Sequence, residues 1–180
     1  MKLLSIITLL IALSVGGVSF AAENSLPGDA LYPIKVGVNE QVRGALAFGA
    51  TSKAKWATRL LERRLEEAEQ LTIENRMNAD ARAQVGSNFA AHADRVEAHI
   101  TELEEKGNVT AAADIASNLA VSLMAHERIL DRLQGEAEEE AKAAVSEIRG
   151  AVAARAEIAR QKSTELGSKI IDRGIEAGAE

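Results

Sequence analysis

Cysteine is the most informative absence, because none of the 180 residues is a Cys. Without thiols the chain has no disulfide, no thiolate metal site and no cysteine for a lipid anchor. Aromatic residues make up only 3% of the chain, which excludes the stacking platforms that bind single-stranded nucleic acid. The sequence also lacks a phosphate-binding loop and a nucleophile motif. We therefore expect neither catalysis nor a cofactor.

Proline is almost absent, and both prolines lie in one stretch, Leu26 to Lys35, which reads LPGDALYPIK. Pro27 and Gly28 suit the second and third positions of a type II turn. Pro33 suits the first turn of a helix, while a residue before proline favours an extended conformation, which we expect for Tyr32. The stretch, called the elbow below, is predicted to be rigid and to bury its tyrosine.

The first 21 residues have the pattern of an export signal. Lys2 precedes an apolar run that ends at Phe20, and Ser19 and Ala21 are small residues at signal-peptidase spacing. We expect cleavage after Ala21, or else one residue later. The mature protein would then be periplasmic or extracellular, with no membrane insertion. The alternative is an uncleaved anchor, since about 20 apolar residues span a bilayer.

The net charge of the chain limits the classes of partner that we expect. The formal net charge is −6, and cleavage would remove Lys2 but no acid, which leaves −7. Such a surface repels nucleic acid and anionic lipid. The expected partner is a protein or another envelope component. A homo-oligomer stays open, because heptad-spaced helices also pair between chains.

After the elbow, apolar residues recur with helical spacing. The pattern predicts helices over about 33–46, 51–75, 79–107, 109–134 and 136–171. Their connections are short, so sequential neighbours should be antiparallel. The predicted fold is all-α: an antiparallel bundle of four long helices with a short N-terminal helix and the elbow. The parts are a signal at 1–21, a helical domain at 22–135, a completing helix at 136–172 and a frayed tail at 173–180.

Each helix has a predicted packing stripe, which in the second helix runs through Ala57, Leu61, Leu65, Ala68 and Thr72. The first runs through Ile34, Val38, Val42 and Ala45. The third and fourth helices have strict heptad seams at Val85, Phe89, His92, Val96, His99 and Leu103, and at Ala112, Ala116, Leu119, Leu123, His126, Leu130 and Leu133. The last helix has Ala141, Val145, Ile148, Val152, Ala156 and Ala159.

The elbow and the following helices resemble a family of exported bacterial domains of unknown function, whose pattern is L-P-G-[DS]-x-L-Y-P-[LI]-K and then A-x-R-L-x-E. The matching residues are Leu26, Pro27, Gly28, Asp29, Leu31, Tyr32, Pro33 and Lys35, followed by Arg64, Leu65 and Glu67. The resemblance is strong from residue 26 to about 71 and looser to about 133, and the last helix lies outside it. It implies export and a helical fold, and it brings no catalytic residue or substrate.

The three histidines are the candidate metal ligands. His92 and His99 are seven residues apart, hence about 10.5 Å along a helix, so they cannot share an ion by themselves. A metal or small-ligand sensor would need one of them beside His126 from the next helix. The preferred interpretation places the histidines at the flanks of the seams, with Ala93 and Ile100 pointing inward.

One basic cluster remains, made of Lys53, Lys55, Trp56, Arg59, Arg63 and Arg64. It lies early in the second helix, whose acids lie late, which is the reverse of what the helix dipole favours. It is either a docking patch or part of an ion-pair network within the molecule. We favour the network, and a core position for Trp56.

Overall fold

The computed structural model describes residues 17–177, with the side chains up to residue 174. Over this range all regular secondary structure is helical, which confirms the all-α prediction. No helix within the described range has the length and apolarity needed to cross a membrane. The chain divides into two compact units, 1–46 and 47–180, which are described in turn. The predicted signal lies largely outside the described range.

The elbow begins with the predicted turn. Gly28 has a φ of +93°, a conformation that favours glycine. The Asp29 N–H donates to the Leu26 carbonyl at 2.9 Å, which closes the turn. The Asp29 carboxylate in turn accepts the Leu26 N–H at 2.7 Å. The Pro27–Gly28 turn is therefore fixed by backbone conformation and by a side-chain clamp.

A helical segment follows directly, in three pieces: Tyr32–Ile34, a π-helical turn at Lys35–Asn39, and Glu40–Ala45. Tyr32 begins the first piece, so the extended conformation expected before Pro33 is wrong. Its N–H donates to the Asp29 carbonyl at 3.1 Å, and the helix itself starts with the Lys35 N–H donating to the Leu31 carbonyl at 3.2 Å. The Lys35 ammonium donates to the Ser25 carbonyl at 3.0 Å and lies 5.8 Å from the centre of the Tyr32 ring. Tyr32 is buried, as predicted.

The apolar stripe predicted for this segment is not buried, which is a second correction. Val38 is 47% exposed and Val42 is 59% exposed, whereas Lys35 and Glu40 are buried. The π-helical turn explains why the predicted stripe is exposed. In this turn the Glu40 N–H donates to the Lys35 carbonyl, five residues earlier. One extra residue in a turn rotates the following side chains by about 100°.

Residues 17–22 form a helical turn beside this segment. The Asn39 amide donates to the Ser19 carbonyl at 2.6 Å, and Arg43 forms an ion pair with Glu23 at 2.7 Å. Ala22, next to the predicted cleavage site, is fully buried. Cleavage after Ala21 would remove Ser19 and with it the hydrogen bond to Asn39.

The second unit consists of four long helices: α1 (Ala50–Ile73), α2 (Ala79–Glu105), α3 (Val109–Glu136) and α4 (Glu139–Ala177). Their ends follow the residues expected to mark them. Asn78 caps α2 by accepting the Ala81 N–H at 2.9 Å, and Gly107, with a φ of +80°, ends it. Helix α1 begins at Ala50, one residue before its predicted start, and Gly49 takes a φ of +80° at the cap.

Consecutive helices are antiparallel, but two pairs of neighbours are parallel. Helix α1 lies beside α2 and α3, α4 lies beside α3 and α2, and α2 also contacts α3. Contacts between α1 and α3 advance in the same direction along both helices, as do those between α2 and α4. The pairs are Glu62–Ser122 and Glu69–His126, then Arg82–Glu147, Glu97–Arg155 and Glu104–Lys169.

The predicted seams form the core of this unit. Apolar side chains on the seams of α2 and α3 are buried except Leu133, which is half-buried, and the α4 seam is buried from Ala141 to Ala159. Helix α4 continues past the expected end at about Ile171 and reaches Ala177. Residues 173–177 of the expected frayed tail are therefore helical.

Candidate functional site

A groove opens between α1 and α3, with a volume of about 380 Å³. Ligand pockets have volumes of about 300–1,000 Å³, so it is large enough for a small molecule or one end of a peptide. Seven of its nine lining residues are polar. The lining is Thr51, Lys55, Thr58, Arg59 and Glu62 from α1, and Ala111, Asp114, Ile115 and Asn118 from α3.

Two of the four charged groups in the groove are held by neighbours. Arg59 lies 3.4 Å from a Glu62 oxygen and 3.4 Å from a Glu66 oxygen. The Ser122 hydroxyl donates to the Glu62 carboxylate at 2.8 Å. Within the described range, neither Lys55 nor Asp114 has an ion-pair partner, although both line the groove. The groove thus presents an open ammonium and an open carboxylate.

These two open charges lie at the same level on opposite walls. Glu62 is level with Ser122 in the parallel pair of helices, so Lys55, seven residues earlier, is level with residue 115. Asp114 is the adjacent residue on α3. Thr51 belongs to the first turn of α1 and Ala111 to the first turn of α3, so both helix N-termini lie at this end. Their dipoles add a positive potential there.

Farther along the same helix pair lies His126, which the sequence analysis named as a candidate ligand. Its Nδ1 atom is 2.7 Å from a Glu69 oxygen of α1. Burial alone would lower the pKa of His126, but the hydrogen bond to Glu69 and the charges of Glu69, Glu62 and Glu66 outweigh burial and raise it. The pair is a proton-sensitive contact between α1 and α3.

The other two histidines do not join His126. His99 is half-buried and lies 3.2 Å from Glu102 of its own helix. His92 is buried in the bundle core, which contradicts the flank interpretation for this residue. The pairing of His126 with α2 assumed that sequential helices face each other, whereas His126 faces α1. Among the described side chains, no group of three or more His, Asp or Glu is placed to hold a metal.

The basic cluster is divided among different environments. Arg64 is fully buried and forms an ion pair with Glu67 at 2.9 Å, so two residues of the second family motif face the core. Arg59 forms ion pairs on the helix surface, while Lys53 and Lys55 are exposed. Trp56 is only half-buried, so the core position predicted for it is wrong. The predicted ion-pair network therefore accounts for Arg59 and Arg64, but not for Lys53 and Lys55.

Sequence reasoning missed the α3 wall of the groove. Asp114 and Asn118 look like ordinary surface residues when α3 is considered alone. They become part of a groove only because α3 runs parallel to α1 at this register. The one usable signal was the basic N-terminal half of α1, which opposes its own helix dipole.

Comparison with known proteins gives a single family. The sequence model of a family described as "Domain of unknown function (DUF5667)" matches residues 24–172. The match includes the elbow and also most of α4, which lay outside the resemblance found in the sequence. No curated protein and no solved structure matches the chain.

Proposed function

We propose that this chain, which belongs to the DUF5667 family of domains of unknown function, is an exported helical binding module of the cell envelope. Its binding surface is the groove between α1 and α3. The groove supports this proposal because it combines an adequate volume with two open, opposite charges, Lys55 and Asp114. The partner is a protein or another envelope component.

The chemistry of the groove suits binding. Its lining contains hydroxyl, carboxylate, amide and cationic groups that can donate or accept hydrogen bonds. Glu62 is engaged by Ser122 and Arg59, which holds it in place as part of the wall. The groove can therefore orient a partner by charge and hydrogen bonding.

Export is supported by the pattern of residues 1–21. Mass spectrometry of the protein recovered from cells tests it. We expect a mature chain that begins at Ala22. A full-length chain in the membrane fraction would support the uncleaved anchor instead, and a full-length chain in the cytoplasm would contradict export.

Site-specific photo-crosslinking in intact cells tests the binding function. A photoreactive amino acid replaces Asn118 in the groove or, as a matched control, the exposed Ala98 on α2. We expect a discrete cross-linked product from position 118 that is lost when Lys55→Met is added. Equal capture from both positions, or recovery of the uncross-linked chain alone, would contradict the proposal.

A second function, metal or small-ligand sensing through histidine, rests on the 2.7 Å contact between His126 and Glu69. A ligand that separates α1 from α3 would break this contact. Calorimetric titration with Zn²⁺, Ni²⁺ and Cu²⁺ tests metal sensing, with His126→Asn as the control. If the titration releases no heat and the metals do not shift the melting temperature, the metal hypothesis is wrong.

A further inference from the structure

We propose that the groove binds a small zwitterion, namely a free amino acid or the unmodified ends of a short peptide, through Lys55 and Asp114. This inference rests on the proposed binding function of the groove and specifies the chemical class of its ligand.

The charges of the lining cancel. Lys55 and Arg59 are cationic, and Glu62 and Asp114 are anionic. A multiply charged anion such as a phosphate would meet both carboxylates, and a polyamine would meet both cations. A ligand with one positive and one negative group, and no net charge, avoids both repulsions.

The anionic end of the ligand is assigned to Lys55. Its ammonium is exposed, lines the groove and has no ion-pair partner in the described part of the chain. The first turns of α1 and α3 lie at the same end, and their dipoles favour a carboxylate there. The Thr51 hydroxyl lies in the lining as a further hydrogen-bond donor.

The cationic end is assigned to Asp114. Its carboxylate is open, whereas that of Glu62 is held by Ser122 and Arg59. Lys55 and Asp114 are level on opposite walls, yet they form no ion pair, so their charged atoms are more than 4.0 Å apart. A molecule that carries an ammonium and a carboxylate would bridge this gap with two charge-assisted hydrogen bonds.

Two of the nine lining residues are apolar, namely Ala111 and the buried Ile115, both from α3. A methyl or another small aliphatic side chain can contact these residues, whereas the groove offers no aromatic wall. Alanine and alanine peptides are therefore suitable probes.

Calorimetric titration of the mature protein with capped and uncapped peptides tests the assignment. The probes are alanine, dialanine, N-acetyl-dialanine, which keeps only the carboxylate, and dialanine amide, which keeps only the ammonium. We expect dialanine to bind at least about tenfold more tightly than either capped form, because each capped form loses one charged hydrogen bond. Comparison of the affinities for alanine and dialanine shows whether the ligand is a free amino acid or the ends of a peptide.

Two substitutions test the residues. Lys55→Met and Asp114→Asn should each weaken dialanine binding by about tenfold or more. Lys53→Met and Glu105→Gln serve as matched controls, since both residues are exposed and lie outside the lining, and should leave binding unchanged. Thermal melts should show all four variants folded, because the replaced side chains are exposed.

Specific results would contradict the assignment of a zwitterionic ligand to the groove. N-acetyl-dialanine binding as tightly as dialanine would show an anion site, and the absence of binding by any probe would exclude the class. If no probe binds but position 118 still captures a partner in cells, the ligand class is wrong and the binding function stands. If dialanine binds but position 118 captures nothing, the zwitterion site stands and the macromolecular partner is wrong.

Discussion

Replacing the buried histidine of α2, His92→Leu, should change how stability depends on pH. His92 is 7% exposed, and its Nδ1 atom has no hydrogen-bond partner in the described part of the chain. Burial, together with the positive charges of Arg64 and Arg95, lowers the pKa of His92 from 6.5 to about 4. The folded protein therefore keeps this imidazole neutral where the unfolded chain protonates it.

The sign and size of the effect follow from this difference in proton binding. Between pH 6.5 and about 4 only the unfolded chain binds the proton at His92, so acid destabilises the fold across this window. The slope is about 1.4 kcal/mol per pH unit, and the full window amounts to about 3 kcal/mol. His92→Leu removes this loss. At pH 7 it should be at least as stable, because a buried polar atom without a partner is removed.

Urea unfolding of both proteins at pH 7, 6, 5 and 4 measures the effect. The difference in free energy of unfolding, variant minus wild type, should rise as pH falls, while carboxylates common to both proteins cancel. His126→Gln is the control of opposite sign, because the pKa of His126 is raised and its contribution is present at low pH and lost as pH rises. Parallel stability curves for wild type and His92→Leu would refute the reasoning.

Three further substitutions test individual contacts by chemical or thermal unfolding. Glu67→Gln should lower the free energy of unfolding by about 3 kcal/mol, because it removes the carboxylate paired with buried Arg64, and the apolar double variant Arg64→Met/Glu67→Leu should recover much of the loss. Tyr32→Ala should cost about 2–4 kcal/mol as the loss of a large buried side chain, and an unchanged melting temperature would contradict it. Asn78→Ala should cost about 1 kcal/mol, whereas Asn108→Ala, whose side chain makes no cap bond, should cost less; equal losses would contradict the cap.

The sequence predicted the parts of the fold that depend on local chemistry. Asn78 and Gly107 marked the ends of α2, and heptad spacing located the buried seams of α2, α3 and α4. Gly28 identified the turn of the elbow. These features are encoded within a few residues or within one helical period, so no knowledge of distant neighbours is needed.

The features that were missed depend on long-range packing or on a local irregularity. Short loops require consecutive helices to be antiparallel, but they do not reveal that α3 also packs in parallel against α1. The π-helical turn at Lys35–Asn39 turned the predicted stripe outward, and no spacing rule anticipates one extra residue per turn.

The reversed charge order of α1 links the sequence to the proposed site. The acidic second half is engaged by α3, where Ser122 binds Glu62 and His126 binds Glu69. The basic first half has no such compensation at Lys55, which stays open beside two helix N-termini at a cost of some tenths of a kcal/mol. In the proposed site a ligand carboxylate would offset this cost, because it would pair with the ammonium and lie at both helix N-termini. A local choice that opposes stability is expected where a protein binds its partner.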